Sequence, residues 1–309
     1  MNFLPYEFYD SFASLLPNET LLLCCEEFSG AIARAFYRNY EKQVYRQFVI
    51  ENERLVSDRL IKAHFRTENR YELTANSVKV QISHFYHDNI GESVDAAVIA
   101  KFAELTDLRV SLQLCALHQH YAHLVCQVID AIPAISSLEV NRLLFRWRLQ
   151  STVKTSISGI LERIMEKKTL NCVRIGAAEQ LDAGTTKLFV DLMKESQFYK
   201  LQLLGENAAF LQSIILEWTR NPSQMAGKQV WCREVHENHP MNTRFSAATE
   251  GELEHLRRHN PAEVQQMKER QLCSVVTLNA NHGTAAIYWI YPHKVFQEHF
   301  EFSSLLLFD

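Results

Sequence analysis

The sequence predicts an α/β protein with an all-helical N-terminus. Beyond residue 75 short apolar runs of strand type recur at near-constant intervals. The stretches between them place apolar residues at helical spacing. Only 9 glycines and 7 prolines in 309 residues leave room for long regular elements joined by short turns. With 47% apolar residues the chain has enough hydrophobic surface to bury a sizeable core.

The first helix is expected to begin at Pro5, because proline's missing N–H costs nothing in a first turn. Glu7 follows in that turn, where its charge faces the positive end of the helix dipole. Phe8, Phe12, Leu15 and Leu16 form one apolar face, and Pro17-Asn18 ends the helix. A second helix opens at Leu21, Leu22 and Leu23 and runs through Phe28 and Ile32 towards Phe36.

Leu4-Pro5-x-Glu7, the Phe12 and Leu15/Leu16 positions and the Leu21 region resemble an F-box, with the module placed at residues 1–45. The tryptophan common near the end of that module is absent, and Phe36 or Tyr37 would have to serve in its place. The resemblance implies docking to a Skp-type ubiquitin-ligase adaptor, and through it to a cullin, by Leu4, Pro5, Phe8, Phe12, Leu15 and Leu16. The alternative is an ordinary helical hairpin packed onto a larger domain.

Residues 46–75 are expected to be a helical linker. They continue a basic and aromatic stretch in which Arg34, Arg38, Lys42 and Arg46 alternate with Phe36, Tyr37, Tyr40, Tyr45 and Phe48.

From residue 76 to 309 a β/α repeat domain is expected. Its strands cover 78–82, 108–114, 138–140, 172–175, 201–204 and 229–231. Taking Val80, Val110, Val140, Val173, Leu201 and Val230 as anchors, the spacings are 30, 30, 33, 28 and 29 residues. One strand and one helix at that interval resemble a degenerate β/α solenoid of leucine-rich-repeat type, although the consensus Leu/Asn ladder is missing. A generic α/β sheet also alternates strand and helix at about this interval. A degenerate F-box followed by such repeats further resembles the expanded F-box-type families of nematodes.

The connecting helices follow from apolar stripes: Val94, Val98, Phe102 and Leu105; Ala122 to Ile132, ended by Pro133; Val153, Ile157, Ile160, Leu161 and Ile164; Leu188, Leu192 and Met193. Asn207 is placed to cap a helix carrying Phe210, Leu211, Ile214, Ile215 and Trp218, and Asn221-Pro222 stops it. Residues 236–272 are polar and break the repeat, as an inserted helix or loop. Val275–Leu278 and Ala286–Ile290 flank a loop containing Gly283 and read as a hairpin, and Phe302 to Phe308 as a terminal apolar cap.

A net charge of −4 gives no general attraction to nucleic acid or membrane. No apolar run is long enough to span a bilayer, and the N-terminus lacks the pattern of a signal peptide. Seven scattered cysteines without a CxxC pair read as reduced thiols, in cytoplasm or nucleus.

Catalytic and metal chemistry find little support. His118, His120 and His123, with Cys115 nearby, lack a convergent fourth ligand on one helical face. His255 and His259 are spaced i, i+4 without the glutamate of a zinc-protease motif, and Cys232, His236 and His239 form a third loose cluster. There is no phosphate loop, dinucleotide fingerprint or nucleophile elbow. No enzyme activity, cofactor or metal is expected.

Residues that alternate with the buried anchors project from the opposite strand face. Arg109, Arg174, Lys200, Trp231 and Arg233 fall in this phase and are expected to bind a target protein, acidic or phosphorylated, with Trp231 as an exposed anchor. Together with the resemblance, this describes the substrate-recognition subunit of an SCF-type ubiquitin ligase. Its rivals are a repeat scaffold without ligase association and an enzyme with an unsigned site.

Overall fold

The computed structural model describes residues 8–9, 12, 32–35, 44–62, 77–83, 91–106, 109–115, 122–141, 151–176, 181, 183–203, 207–232, 239–259, 273–280, 285–292 and 304–309. The fold is mixed α/β. It divides into two compact units, 1–137 and 138–309.

The first unit begins with helical residues at 8–9, 12 and 32–35. Strand β1 (Val44–Glu51) then pairs antiparallel with β2 (Arg54–Lys62). This corrects the expected helical linker over 46–62; its remainder, 63–75, lies outside the described residues. Arg46, Phe48 and Ile50 lie on one strand face, and the buried Phe48 and Ile50 supply its apolar content. The turn is Asn52-Glu53, with φ of 50° and 63°. Left-handed backbone at both positions matches the twist of a two-residue hairpin. Asn52 N–H donates to Ser83 O at 3.3 Å, and Val94 N–H to Glu53 O at 3.0 Å, so the tip is tied to the neighbouring chain.

Strands β3 (Ser77–Ser83) and β5 (Arg109–Cys115) run parallel to β1, while β4 (Glu92–Ser93) flanks β2. The order is β4-β2-β1-β3-β5. Gly91 leads into β4 where a β-carbon would lie 2.8 Å from Leu55 O, so only glycine lets the two backbones approach there. Phe48, Val80 and Leu112 form one cross-strand row, all fully buried. Helix α1 (Ala96–Ala103) packs on that face through Phe102, whose ring meets Phe48 edge-on at 5.1 Å. Asp95 caps it, accepting from the N–H groups of Ala97 at 2.8 Å and Val98 at 3.1 Å. Helix α2 (Ala122–Ala131) follows β5, and Ser136 at the start of β6 (Ile135–Asn141) donates to Val110 O at 3.1 Å.

In the second unit α3 (Ser151–Glu166), α4 (Ala183–Leu192) and α5 (Ala208–Arg220) separate β6, β7 (Cys172–Ile175), β8 (Lys200–Leu203) and β9 (Lys228–Cys232). β7, β8 and β9 are parallel neighbours. All six anchors, from Val80 to Val230, are buried. Phe189 and Phe210 join α4 to α5 edge-on at 6.1 Å. Asn207 stands at the start of α5, but its side chain makes no capping hydrogen bond. The Lys228 ammonium is buried and donates to the carbonyls of Glu195 and Phe198, which closes the turn after α4.

The closing strands depart from the repeat. β10 (Ser246–Ala247), β11 (Cys273–Asn279) and β12 (Ala286–Pro292) are antiparallel neighbours, so the expected hairpin is present. β13 (Ser304–Phe308) inserts between β12 and β9, antiparallel to both. The last residues are therefore a strand within the sheet rather than a cap. Helix α6 (Glu250–His259) lies within the expected insertion at 236–272. No helix among the described residues is long and apolar enough to cross a membrane.

Candidate functional site

One surface that gathers residues singled out above is the N-terminal helix face. Phe8 is 52% exposed and Phe12 46%, and their rings are stacked, 6.5 Å apart and 3° from parallel. Spacing of i, i+4 on one helical turn brings them together. Tyr9 meets Phe8 edge-on at 5.8 Å and is buried, so the turn has an inner and an outer side. Among the described residues the only other exposed large apolar side chain is Leu216. Leu4, Pro5, Leu15 and Leu16 lie outside the described residues.

The other described candidates lie, in each unit separately, on the strand face away from the buried anchors. In the first unit Ser77 pairs with Arg109, Lys79 with Ser111 and Gln81 with Gln113. Arg109 is exposed and Lys79 half-buried, and Gln47 Nε2 donates to Gln81 Oε1 at 3.4 Å. In the second unit Arg174, Gln202, Trp231, Leu305, Ile290 and Val275 form one cross-strand row. Lys200 lies two residues from Gln202 on the same face, with its ammonium 5.8 Å from the Trp231 ring centroid. The common phase of Arg174, Lys200 and Trp231 is therefore present in the fold.

Their exposure is not what the sequence predicted. Trp231 is 3% exposed. It packs with Tyr288, Ile290, Leu305 and Leu307 beneath Leu256 of α6, and its indole N–H donates to Gln229 Oε1 at 3.2 Å. It is core, not an interface anchor. Arg174 is 7% exposed, its Nε 3.9 Å from a Glu139 carboxylate oxygen, so desolvation and an acidic neighbour replace the free cation expected there. Lys200 keeps partial exposure, and Arg233 lies outside the described residues.

Helix α6, in the stretch where the sequence predicts an inserted helix or loop, packs over Trp231. Thr249 N–H donates to Glu252 Oε2 at 2.7 Å, and Glu252 N–H donates back to Thr249 Oγ1 at 3.3 Å. This reciprocal cap was legible as Thr249-x-x-Glu252. Burial pushes the Glu252 carboxyl up, but bonds from Thr249, Asn279 and Thr277 outweigh it and hold its pKa below the usual glutamate value. His255 and His259 do share a face, their ring centroids 4.2 Å apart, and His255 Nε2 sits 2.9 Å from Asp309 Oδ2. Burial, then the charges of Asp309 and Glu252, raise the Tyr288 pKa.

The remaining histidines divide. His118, His120 and His236 lie outside the described residues. His123 is exposed. His239 is buried edge-on against Trp289 at 4.9 Å, and its Nδ1 accepts from Met241 N–H at 3.2 Å. Cys232 is buried, its Sγ 3.4 Å from Ser304 Oγ. Among the described residues no group of three or more His, Cys, Asp or Glu is arranged to hold a metal ion.

The chain matches no family model, no curated protein and no solved structure.

Proposed function

We propose that this chain is the substrate-recognition subunit of an SCF-type ubiquitin ligase, acting in cytoplasm or nucleus. The N-terminal helices dock a Skp-type adaptor and, through it, a cullin. The remainder, a degenerate β/α solenoid of leucine-rich-repeat type, holds a target protein. The observation that carries the reading is the stacked, half-exposed Phe8–Phe12 pair, on the helix face where the F-box resemblance puts the adaptor contact. An exposed, stacked aromatic pair supports an interaction surface on that face. In the first unit, the exposed Arg109 and partly exposed Lys79 on the strand face favour an acidic or phosphorylated target, and in the second unit the partly exposed Lys200 does so separately. The chain binds, and ubiquitin transfer belongs to other subunits.

A repeat scaffold without ligase association is favoured by one observation, the burial of Tyr9 and Ala35 in the N-terminal helices. Co-purification with mass spectrometry of the bound proteins separates the two. The receptor reading expects an adaptor and a cullin with the unsubstituted chain, both lost on Leu4→Ala plus Phe12→Ala. The scaffold reading expects neither.

A further inference from the structure

α6 carries two imidazoles on one face, and the fold brings a carboxylate to them. His255 and His259, one helical turn apart, stand with ring centroids 4.2 Å apart. Asp309, 54 residues further along the chain, places its Oδ2 2.9 Å from His255 Nε2. Both partners of that contact are held in place. Asp309 N–H donates to Ala286 O at 2.8 Å, and Ala286 N–H to Asp309 O at 3.3 Å. The His255 ring lies 22° from parallel with Tyr288, centroids 6.5 Å apart, and the adjacent Leu256 is anchored in the apolar cluster. All three groups meet solvent: the His255 and Asp309 side chains are 43% and 39% exposed, and His259 is exposed. The pair lacks the glutamate of a zinc-protease motif. That glutamate is a general base rather than a ligand, so its absence removes a reaction and not a site.

We infer that His255, His259 and Asp309 bind a divalent transition-metal ion, as two imidazoles and one carboxylate with water in the remaining positions. This ligand set suits zinc, iron or nickel; calcium and magnesium take oxygen ligands. The 2.9 Å between Nε2 and Oδ2 is the separation of two neighbouring ligands on one ion, since bonds of about 2.0–2.1 Å at right angles put their donor atoms about 2.9 Å apart. The ion takes the place of the proton between those two atoms, and that proton passes to solvent. In the structure the three groups do not converge on one point. The adjustment falls to His259, an exposed side chain at the end of α6 that can change rotamer. Bound there, the ion ties α6 to the residue that follows β13. The site is independent of the receptor reading and of the N-terminal helices.

The test titrates nickel(II) into the full chain, first treated with a chelator, and follows both heat and the unfolding midpoint. The unsubstituted chain is expected to bind one more equivalent than His259→Ala, and Asp309→Asn to bind that equivalent at least tenfold more weakly. His259→Ala removes an exposed ring and should keep the unsubstituted midpoint when no nickel is added. Nickel should raise the midpoint of the unsubstituted chain more than that of His259→Ala, because an ion held only by the folded state stabilises it. Acidification to about pH 5 should abolish the difference, since the imidazoles must be neutral to bind. The same stoichiometry and affinity in the unsubstituted chain and His259→Ala, whether both bind or neither does, would overturn the proposal. So would a nickel response that Asp309→Asn leaves unchanged.

Discussion

At the scale of the residue, Trp231 shows how far alternation alone can be trusted. Its phase was legible, because successive side chains on a regular strand alternate between faces. Its exposure was not, because a helix some twenty-five residues later in the chain covers it. The consequence for mutagenesis is reversed. An exposed anchor would tolerate truncation, whereas the buried indole leaves a cavity. Trp231→Ala is expected to destabilise the protein by about 3–5 kcal/mol. Chemical denaturation checks this, and an unchanged midpoint would place the ring at the surface. Arg174 is withdrawn from solvent in a different way, beside Glu139 on the preceding strand.

Glu252 makes a second prediction at this scale. Its folded-state pKa lies below its ordinary value, so the folded protein holds the charged form more firmly than the unfolded chain does. The stabilisation is present above the ordinary glutamate pKa and is lost as pH falls through the lower, folded value. The stability difference between the unsubstituted chain and Glu252→Gln should therefore be constant near neutrality and shrink on acidification below about pH 4. Unfolding measured as a function of pH checks the sign, and a difference that grows in acid contradicts it.

At the scale of the element, the alternation of strand and helix and the β11–β12 hairpin were readable, and the β1–β2 hairpin was not. Strands buried on one face by helices appear as short apolar runs, and helices carry their stripe at a different period. β1–β2 was hidden because Asn52-Glu53 lacks the glycine that usually announces a two-residue turn. Arg46 also disguised the apolar face. Its guanidinium lies 4.5 Å above the Phe48 ring and pairs with Asp58 at 2.8 Å, so a basic residue sits on the same face as two buried ones. Left-handed backbone costs a residue with a β-carbon about 1–2 kcal/mol. Glycine's extra freedom in the unfolded chain offsets about 0.4–1 kcal/mol of any gain. Glu53→Gly is thus expected to raise the urea midpoint modestly. A lowered midpoint would mean that the Glu53 side chain contributes more than its backbone costs.

At the scale of the whole molecule, the sequence foretold strand, helix and their interval, because these are local properties. The place of β13 between β9 and β12 was beyond its reach, since pairing 72 residues apart, as between Cys232 and Ser304, leaves no local pattern. The functional account likewise rests on two features of different legibility. The basic character of the strand faces could be read from alternation; among the described residues singled out there, Arg109 and Lys79 in the first unit and Lys200 in the second keep exposure. The apolar N-terminal face was read from spacing, and Phe8 and Phe12 stand half-exposed within it.

That face decides the central claim, and calorimetric titration of a purified Skp-type adaptor into the full chain tests it most directly. Phe8→Ala plus Phe12→Ala removes two exposed rings and should leave the unfolding midpoint nearly unchanged, as surface substitutions do. The account predicts saturable binding to the unsubstituted chain and none to the folded double variant. No binding by the unsubstituted chain, or equal binding by both, would contradict it.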